Sequence, residues 1–253
     1  MGFFSNPRQA ALGYVVDELL AQNLQVLKNN RALALRQTLR DIGEAMFEPG
    51  GIAIKHIEHF LSGSGDTLEI DATRMLRDNP TVKRRVESET RRRALRILTL
   101  REASTFNPYR DGIDPILTVF QKNFDDRDWW GALGTYEFEM RKVERKTEHS
   151  DSLIIVNLYG KNEYKWYKDR NSATKAIHQL GAELEENRWA KNFWMTSKPL
   201  RFDILGKPAN SEPLGDFAFA QENPEGGVKV ITDQVRVRLK RKLPNSFWVQ
   251  QLL

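Results

Sequence analysis

His56 and His59 stand three residues apart with Glu58 between them, a spacing that can offer two imidazoles to one metal ion from the side of a helix. No third ligand follows at a recognisable spacing, so core or surface histidines are the favoured reading. His149 falls in a predicted turn and His178 in a predicted helix. No serine lies in a nucleophile-elbow sequence, and a hydrolase triad has no support. Residues 62–66, SGSGD, are glycine-rich but lack the Lys-Ser/Thr of a phosphate-binding loop and follow a predicted helix instead of a strand. They read as a helix C-cap and turn. The segment 159–182, YGKNEYKWYKDRNSATKAIHQLGA, is the most informative: a strand ends, a polar-aromatic loop follows, and a helix begins. Loops held at both ends by rigid elements are common carriers of catalytic groups.

The elements that must hold this loop can be read from periodicity. Leu12, Val15, Val16, Leu19, Leu20, Leu24 and Leu27, then Leu35, Leu39 and Ile42, recur at steps of three and four, predicting one long or two consecutive amphipathic helices from Pro7 to about Ala45. Glu48-Pro49-Gly50-Gly51 interrupts them, and Ile52–Leu61 predicts a short third helix. A further helix is expected over 82–101. Alternation of Tyr136, Phe138 and Met140 with charged residues, a polar turn at 148–152 and LIIVNLYG at 153–160 predict a β-hairpin. A helix then opens near Ser172 and closes at Asn187, strands follow at 192–196 and 200–204, and the alternating run 229–243 suggests another. Gly206–Gly227 reads as a long loop. The expectation is an α+β fold: a helical N-terminal half, with residues 1–50 as an amphipathic helical region, followed by a mixed antiparallel sheet or half-barrel with one prominent helix within 51–253.

The chain has 253 residues, 40% hydrophobic and 29% charged, with no cysteine. That composition suits an ordinary globule and removes disulfide scaffolds, thiolate metal sites and cysteine nucleophiles. Neither a membrane span nor a Sec-type signal is visible. The net charge of +5 is unevenly spread: residues 83–101 hold eight Lys or Arg against Glu87 and Glu89, and residues 236–242 hold five and no acid. Basic patches on a mildly acidic body suit a phospholipid surface, a pyrophosphate or nucleic acid, or simply a solvated face. Tyr159, Tyr164, Trp166, Tyr167, Trp189 and Trp194 lie among lysines and arginines, but no named nucleic-acid motif is present, and a nucleic-acid partner is not expected.

Within 159–182, Asn162-x-Tyr164-Lys165, a three-residue spacer, Asp169-Arg170 and downstream Leu180-Gly181-Ala182 resemble the activity-domain signature of colicin M and related lipid II-degrading bacteriocins. There Asp-x-Tyr-Asp is followed by His-Arg and a helix with Leu-Gly-Ala. HFLSGSGD at 59–66 and GALGTYEFEM at 131–140 are similar to the family's upstream segments, and the likeness spans roughly 52–207. Only Tyr164 and Arg170 match the signature outright: Asn162 and Lys165 stand where it has acids, and Asp169 where it has histidine. A lysine in place of a carboxylate repels a divalent ion by several kcal/mol at an effective dielectric near ~20.

The resemblance implies an antibacterial effector or bacteriocin toxin of bacterial competition, a hydrolase of the polyprenyl-pyrophosphate linkage of the peptidoglycan precursor lipid II that requires Mg. Pyrophosphate hydrolysis needs carboxylates for the cation, a base for water and an arginine for the developing charge. On this chain it implies Asn162, Tyr164, Asp169 and Arg170 at the catalytic site, Lys165, Trp166 and Arg170 toward substrate, and Glu163 and Asp169 as metal ligands. It further implies a protein made in the bacterial cytoplasm and delivered to a target periplasm, where it meets a lipid-linked precursor at the membrane surface, with secretion-machinery, immunity or assembly partners on the N-terminal helices. Two alternatives stay open: a catalytically inactive homologue with a binding or structural role in a multiprotein assembly, and a basic-patch binder of nucleic acid or acidic lipid.

Overall fold

In a computed structural model of the chain, residues 7–27, 30–99, 114–120, 123–148, 151–168, 174–206, 238 and 241–243 are described. Their fold is α+β, with seven helices and a mixed six-stranded sheet. The chain divides into two compact units, one drawn from Met1–Asp66, Tyr164–Phe193 and Asn223–Leu253, the other from Thr67–Glu163 and Trp194–Glu222. No helix among the described residues is long and apolar enough to cross a membrane.

The first unit is built on α1 (Pro7–Val26), α2 (Arg31–Met46), α3 (Ile52–Ser62) and α7 (Lys175–Glu186). The N-terminal periodicity thus resolves into two helices. Asn30 starts the second by accepting a hydrogen bond from the Leu33 amide at 3.2 Å, so the side chain replaces a missing helical partner. Leu12, Val15, Val16 and Leu19 of α1, Leu35, Leu39 and Ile42 of α2, Ile57, Phe60 and Leu61 of α3, and Ile177, Leu180 and Leu184 of α7 are buried. The α2–α3 seam carries a paired charge. Arg40 Nε and Nη2 donate to Glu58 Oε1 and Oε2 at 2.6 and 3.0 Å, and that hydrogen bonding holds the Glu58 carboxyl below its usual range. Gly63 closes α3 in the left-handed region at φ 75°, a conformation a side chain disfavours, so SGSGD is a C-cap and turn.

The second unit holds β1 (Leu68–Ile70), α4 (Ala72–Asp78), α5 (Pro80–Thr99), β2 (Ile116–Val119), α6 (Arg127–Leu133) and β3 (Tyr136–Glu148). Most of β4 (Asp151–Tyr164) and of β5 (Phe193–Ser197), and β6 (Leu200–Gly206), complete it. The strand order is β1-β5-β4-β3-β2, with β6 pairing the first half of β4. β1 runs parallel to β5; the β2–β3, β3–β4 and β4–β6 pairs are antiparallel, the β3–β4 hairpin being the one that alternation in the sequence anticipates. One sheet face is apolar, with Leu117, Val119, Tyr136, Phe138, Met140, Leu158 and Met195 buried. A buried asparagine ties the helices together: Asn79 donates to the Met75 carbonyl at 2.9 Å and accepts from the Asp126 amide at 2.8 Å, while Asp126 caps α6.

The first half of the chain is mostly helical, as expected, with β1 and β2 added as strands too short to show a period. Of the predicted strand at 229–243 only residues 238 and 241–243 are described, and Arg238, Arg241 and Lys242 are helical. Polar contacts explain why alternation misleads there: Arg238 donates to the carbonyls of Glu44 and Phe47 at the end of α2, and Lys242 pairs with Asp41. The long loop predicted at 206–227 lies, beyond Gly206, outside the described residues.

Two substitutions test this account. A Cβ at Gly160 would stand 2.6 Å from Ser197 Oγ and against the Tyr136 hydroxyl, while the Gly160 amide donates to Ser197 Oγ at 2.9 Å. Gly160→Ala is therefore expected to cost about 1–3 kcal/mol in urea denaturation. Glu58→Gln is expected to cost under about 1 kcal/mol at neutral pH, because the pair is partly exposed. Since folding depresses the Glu58 pKa, its contribution is present above the unfolded value of about 4.3 and fades as pH falls through the folded one. Denaturation midpoints of wild type and variant should converge there.

Candidate functional site

β4 ends at Tyr164, the described residues 165–168 and Thr174 belong to neither strand nor helix, and α7 begins at Lys175. The strand–loop–helix order expected for 159–182 is therefore present. Asp169 and Arg170 lie outside the described residues.

In the second unit, side chains of β4 alternate between the two faces of the sheet. Asn162 and Glu163 consequently project to opposite sides. The Asn162 amide donates to the Leu133 carbonyl at 3.2 Å and to the Thr135 carbonyl, tying the strand to the end of α6 and the turn before β3. Tyr159, Lys161 and Glu163 share the other face. There Lys161 Nζ lies 4.5 Å from the centre of the Trp194 ring, and the Arg141 guanidinium lies 5.1 Å from that of Tyr159. Arg141 reaches that ring from the irregularity in the β3 ladder between Met140 and Lys142.

In the first unit, Tyr164 stacks on Phe193 with ring centres 4.8 Å apart and planes 16° from parallel. His56 meets Tyr164 edge-on at 5.8 Å and Phe193 at 5.9 Å, and Trp166 meets Tyr164 edge-on at 5.7 Å. Burial pushes the Tyr164 phenol well above its ordinary pKa, so it stays neutral at physiological pH. The Trp166 indole lies over Gly181 of α7, where any Cβ would overlap the ring, and meets His178 at 5.3 Å. Lys165 and Tyr167 are exposed on the loop, with Lys165 Nζ 5.9 Å from the Tyr167 ring centre, while Lys168 pairs with Glu186 at 2.9 Å.

The two histidines singled out by spacing have structural roles here. His56 is buried in the aromatic cluster, and His59 Nε2 lies 2.8 Å from the Asp66 carbonyl oxygen. Among the described residues, no group of three or more His, Asp or Glu is placed to hold a metal ion. The structure thus separates the candidate residues into three sets: Asn162 holding a turn, Glu163 on the opposite sheet face, and Tyr164 with Trp166 in an aromatic core. Phe193, which builds that core with Gly181, was not singled out from sequence. The Leu180-Gly181-Ala182 match was the signal for Gly181.

Compared with protein-family models, curated proteins and solved structures, the chain matches none.

Tyr164 gives the sharpest test of this arrangement. Tyr164→Phe keeps the stack and is expected to shift stability by less than about 1 kcal/mol, whereas Tyr164→Ala removes it at a cost of about 3–5 kcal/mol. Urea denaturation followed by tryptophan fluorescence would measure both. A Phe variant as damaged as the Ala variant would mean that the hydroxyl, not the ring, matters.

Proposed function

We propose that this chain is a colicin-M-like antibacterial effector relative whose loop between β4 and α7 engages the polyprenyl-pyrophosphate linkage of lipid II. The observation that supports the reading is the anchoring of that loop: Tyr164 and Trp166 are packed at its start, and Leu180-Gly181 of α7 are buried after its end. A loop so held can present short polar side chains at fixed positions. Arg170 would face the pyrophosphate charge, and Lys165 and Trp166 the substrate's polar and apolar parts. A Mg ion would stabilise charge on the phosphoryl oxygens and orient water. Its proposed donors are Glu163 and Asp169; Glu163 alone, two positions from Lys161 on the same strand face, does not make such a site.

A second reading is favoured by a specific observation. The Asn162 amide, the Tyr164 ring and the Trp166 indole are each engaged in holding the fold. A non-catalytic homologue that binds a partner within a larger assembly, through the N-terminal helices, needs only that framework.

One experiment separates the two. Purified protein is incubated with lipid II and Mg, with and without chelator, and the products are chromatographed. The effector reading expects chelator-sensitive release of a phosphorylated disaccharide-peptide that Asp169→Ala and Arg170→Ala abolish. Absence of product from protein shown folded by circular dichroism would overturn it. The second reading then requires a stable complex in native lysate by gel filtration, and a strictly monomeric protein would sink it too.

A further inference from the structure

We infer that the outer face of α5, together with the edge strand β2, is a docking surface for an anionic lipid bilayer. This rests on surface charge and exposure in the second unit and does not depend on the function proposed above. α5 buries Val82, Val86, Thr90 and Ala94, one residue per turn. That stripe turns Lys83, Arg84, Glu87, Arg91 and Arg92 outward, and all five are exposed. Four cations therefore face solvent against one carboxylate. Lys83 lies 3.9 Å from Glu87, and Arg92 pairs with the half-buried Glu89 at 2.6 Å. Arg84 donates to Thr81 Oγ1 at 3.3 Å, and among the described residues neither Arg84 nor Arg91 has a carboxylate partner.

Beside this helix the sheet leaves apolar side chains uncovered. Among the described residues, β2 ends the strand order and pairs only with β3. Leu117 and Val119 are buried, while Ile116 and, just after the strand, Phe120 are 37% and 46% exposed. Two arginines of α5 reach these residues: the Arg85 guanidinium lies 5.9 Å from the Phe120 ring centre, and Arg93 donates to the Ile116 carbonyl at 2.9 Å. Cations that complement lipid phosphates, next to an aliphatic and an aromatic side chain that can enter the headgroup boundary, are what an anionic bilayer recognises. A nucleic acid would use the cations but gains nothing from Ile116, and Arg85 already lies over the Phe120 ring.

The test is flotation of the full chain with vesicles of phosphatidylglycerol and phosphatidylcholine against vesicles of phosphatidylcholine alone, over a salt series. No lipid II is present, so failure here and failure of the proposed function are distinguishable. Binding only to the anionic vesicles, weakening with salt, is expected, and the double variant Arg84→Glu/Arg91→Glu should lower the partition coefficient more than about tenfold. Ile116→Ser/Phe120→Ser should also weaken binding, with the loss persisting at high salt, where the electrostatic attraction is screened. Lys55→Glu, an exposed position of the other unit, should change it far less. Circular dichroism and denaturation midpoints verify that each variant is folded. The inference is overturned if folded protein ignores anionic vesicles, if Lys55→Glu weakens binding as much as the double reversal, or if a labelled oligonucleotide is bound through Arg84 and Arg91 while vesicles are not.

Discussion

The exit of β4 is governed by one burial event, the placement of Tyr164 against Phe193 with His56 at its edge. A phenol ring of this size, removed from water among other rings, contributes on the order of 2–3 kcal/mol from apolar area, plus a smaller directional gain from ring geometry. Two residues later Trp166 is laid over Gly181, an approach possible only because that position lacks a Cβ. The start of the loop and the middle of α7 are thereby fixed relative to each other. α7 is in turn fixed by Ile177, Leu180 and Leu184, so the loop's two ends inherit the rigidity of the helical unit.

That same economy explains what was legible in the sequence. The β3–β4 hairpin was readable because Tyr136, Phe138 and Met140 alternate with charged residues over a run long enough to show period two. α1, α2, α3, α5 and α7 were readable for the matching reason at period 3.6. β1, β2, α4 and α6 were not, since three to seven residues hold too few repeats, and what makes them is tertiary: Asn79 bridging Met75 and Asp126, and β1 completing the edge of β5. Local patterning had no means of encoding those partners.

The candidate site was legible as an order of elements and not as a constellation. A four-residue match such as Asn162 to Lys165 suggests neighbours, yet in a strand adjacent residues part company. Asn162 faces the α6 end, and Glu163 shares a face with Tyr159 and Lys161. The alternation that identified β4 already contained this separation. His56 carries the converse lesson. Its spacing from His59 suits a metal, but the position falls on the buried face of α3 with Ala53, Ile57 and Phe60, where an imidazole finds aromatic edges.

Charge runs of similar composition also meet different fates, and sequence does not distinguish them. In 236–242, the described Arg238 and Lys242 are spent on the chain itself: Arg238 satisfies carbonyls at the end of α2, where helix geometry leaves acceptors unpaired and the dipole favours a cation, and Lys242 neutralises the buried Asp41. In α5 the geometry forbids that use. Its apolar residues Val82, Val86, Thr90 and Ala94 occupy one stripe, so Arg84 and Arg91 emerge on the far side of the helix, and the acids available to its neighbours, Glu87 and Glu89, are already matched to Lys83 and Arg92. Positive charge that folding does not consume must be solvated or meet an external anion, and among the described residues α5 leaves Arg84 and Arg91 in that position.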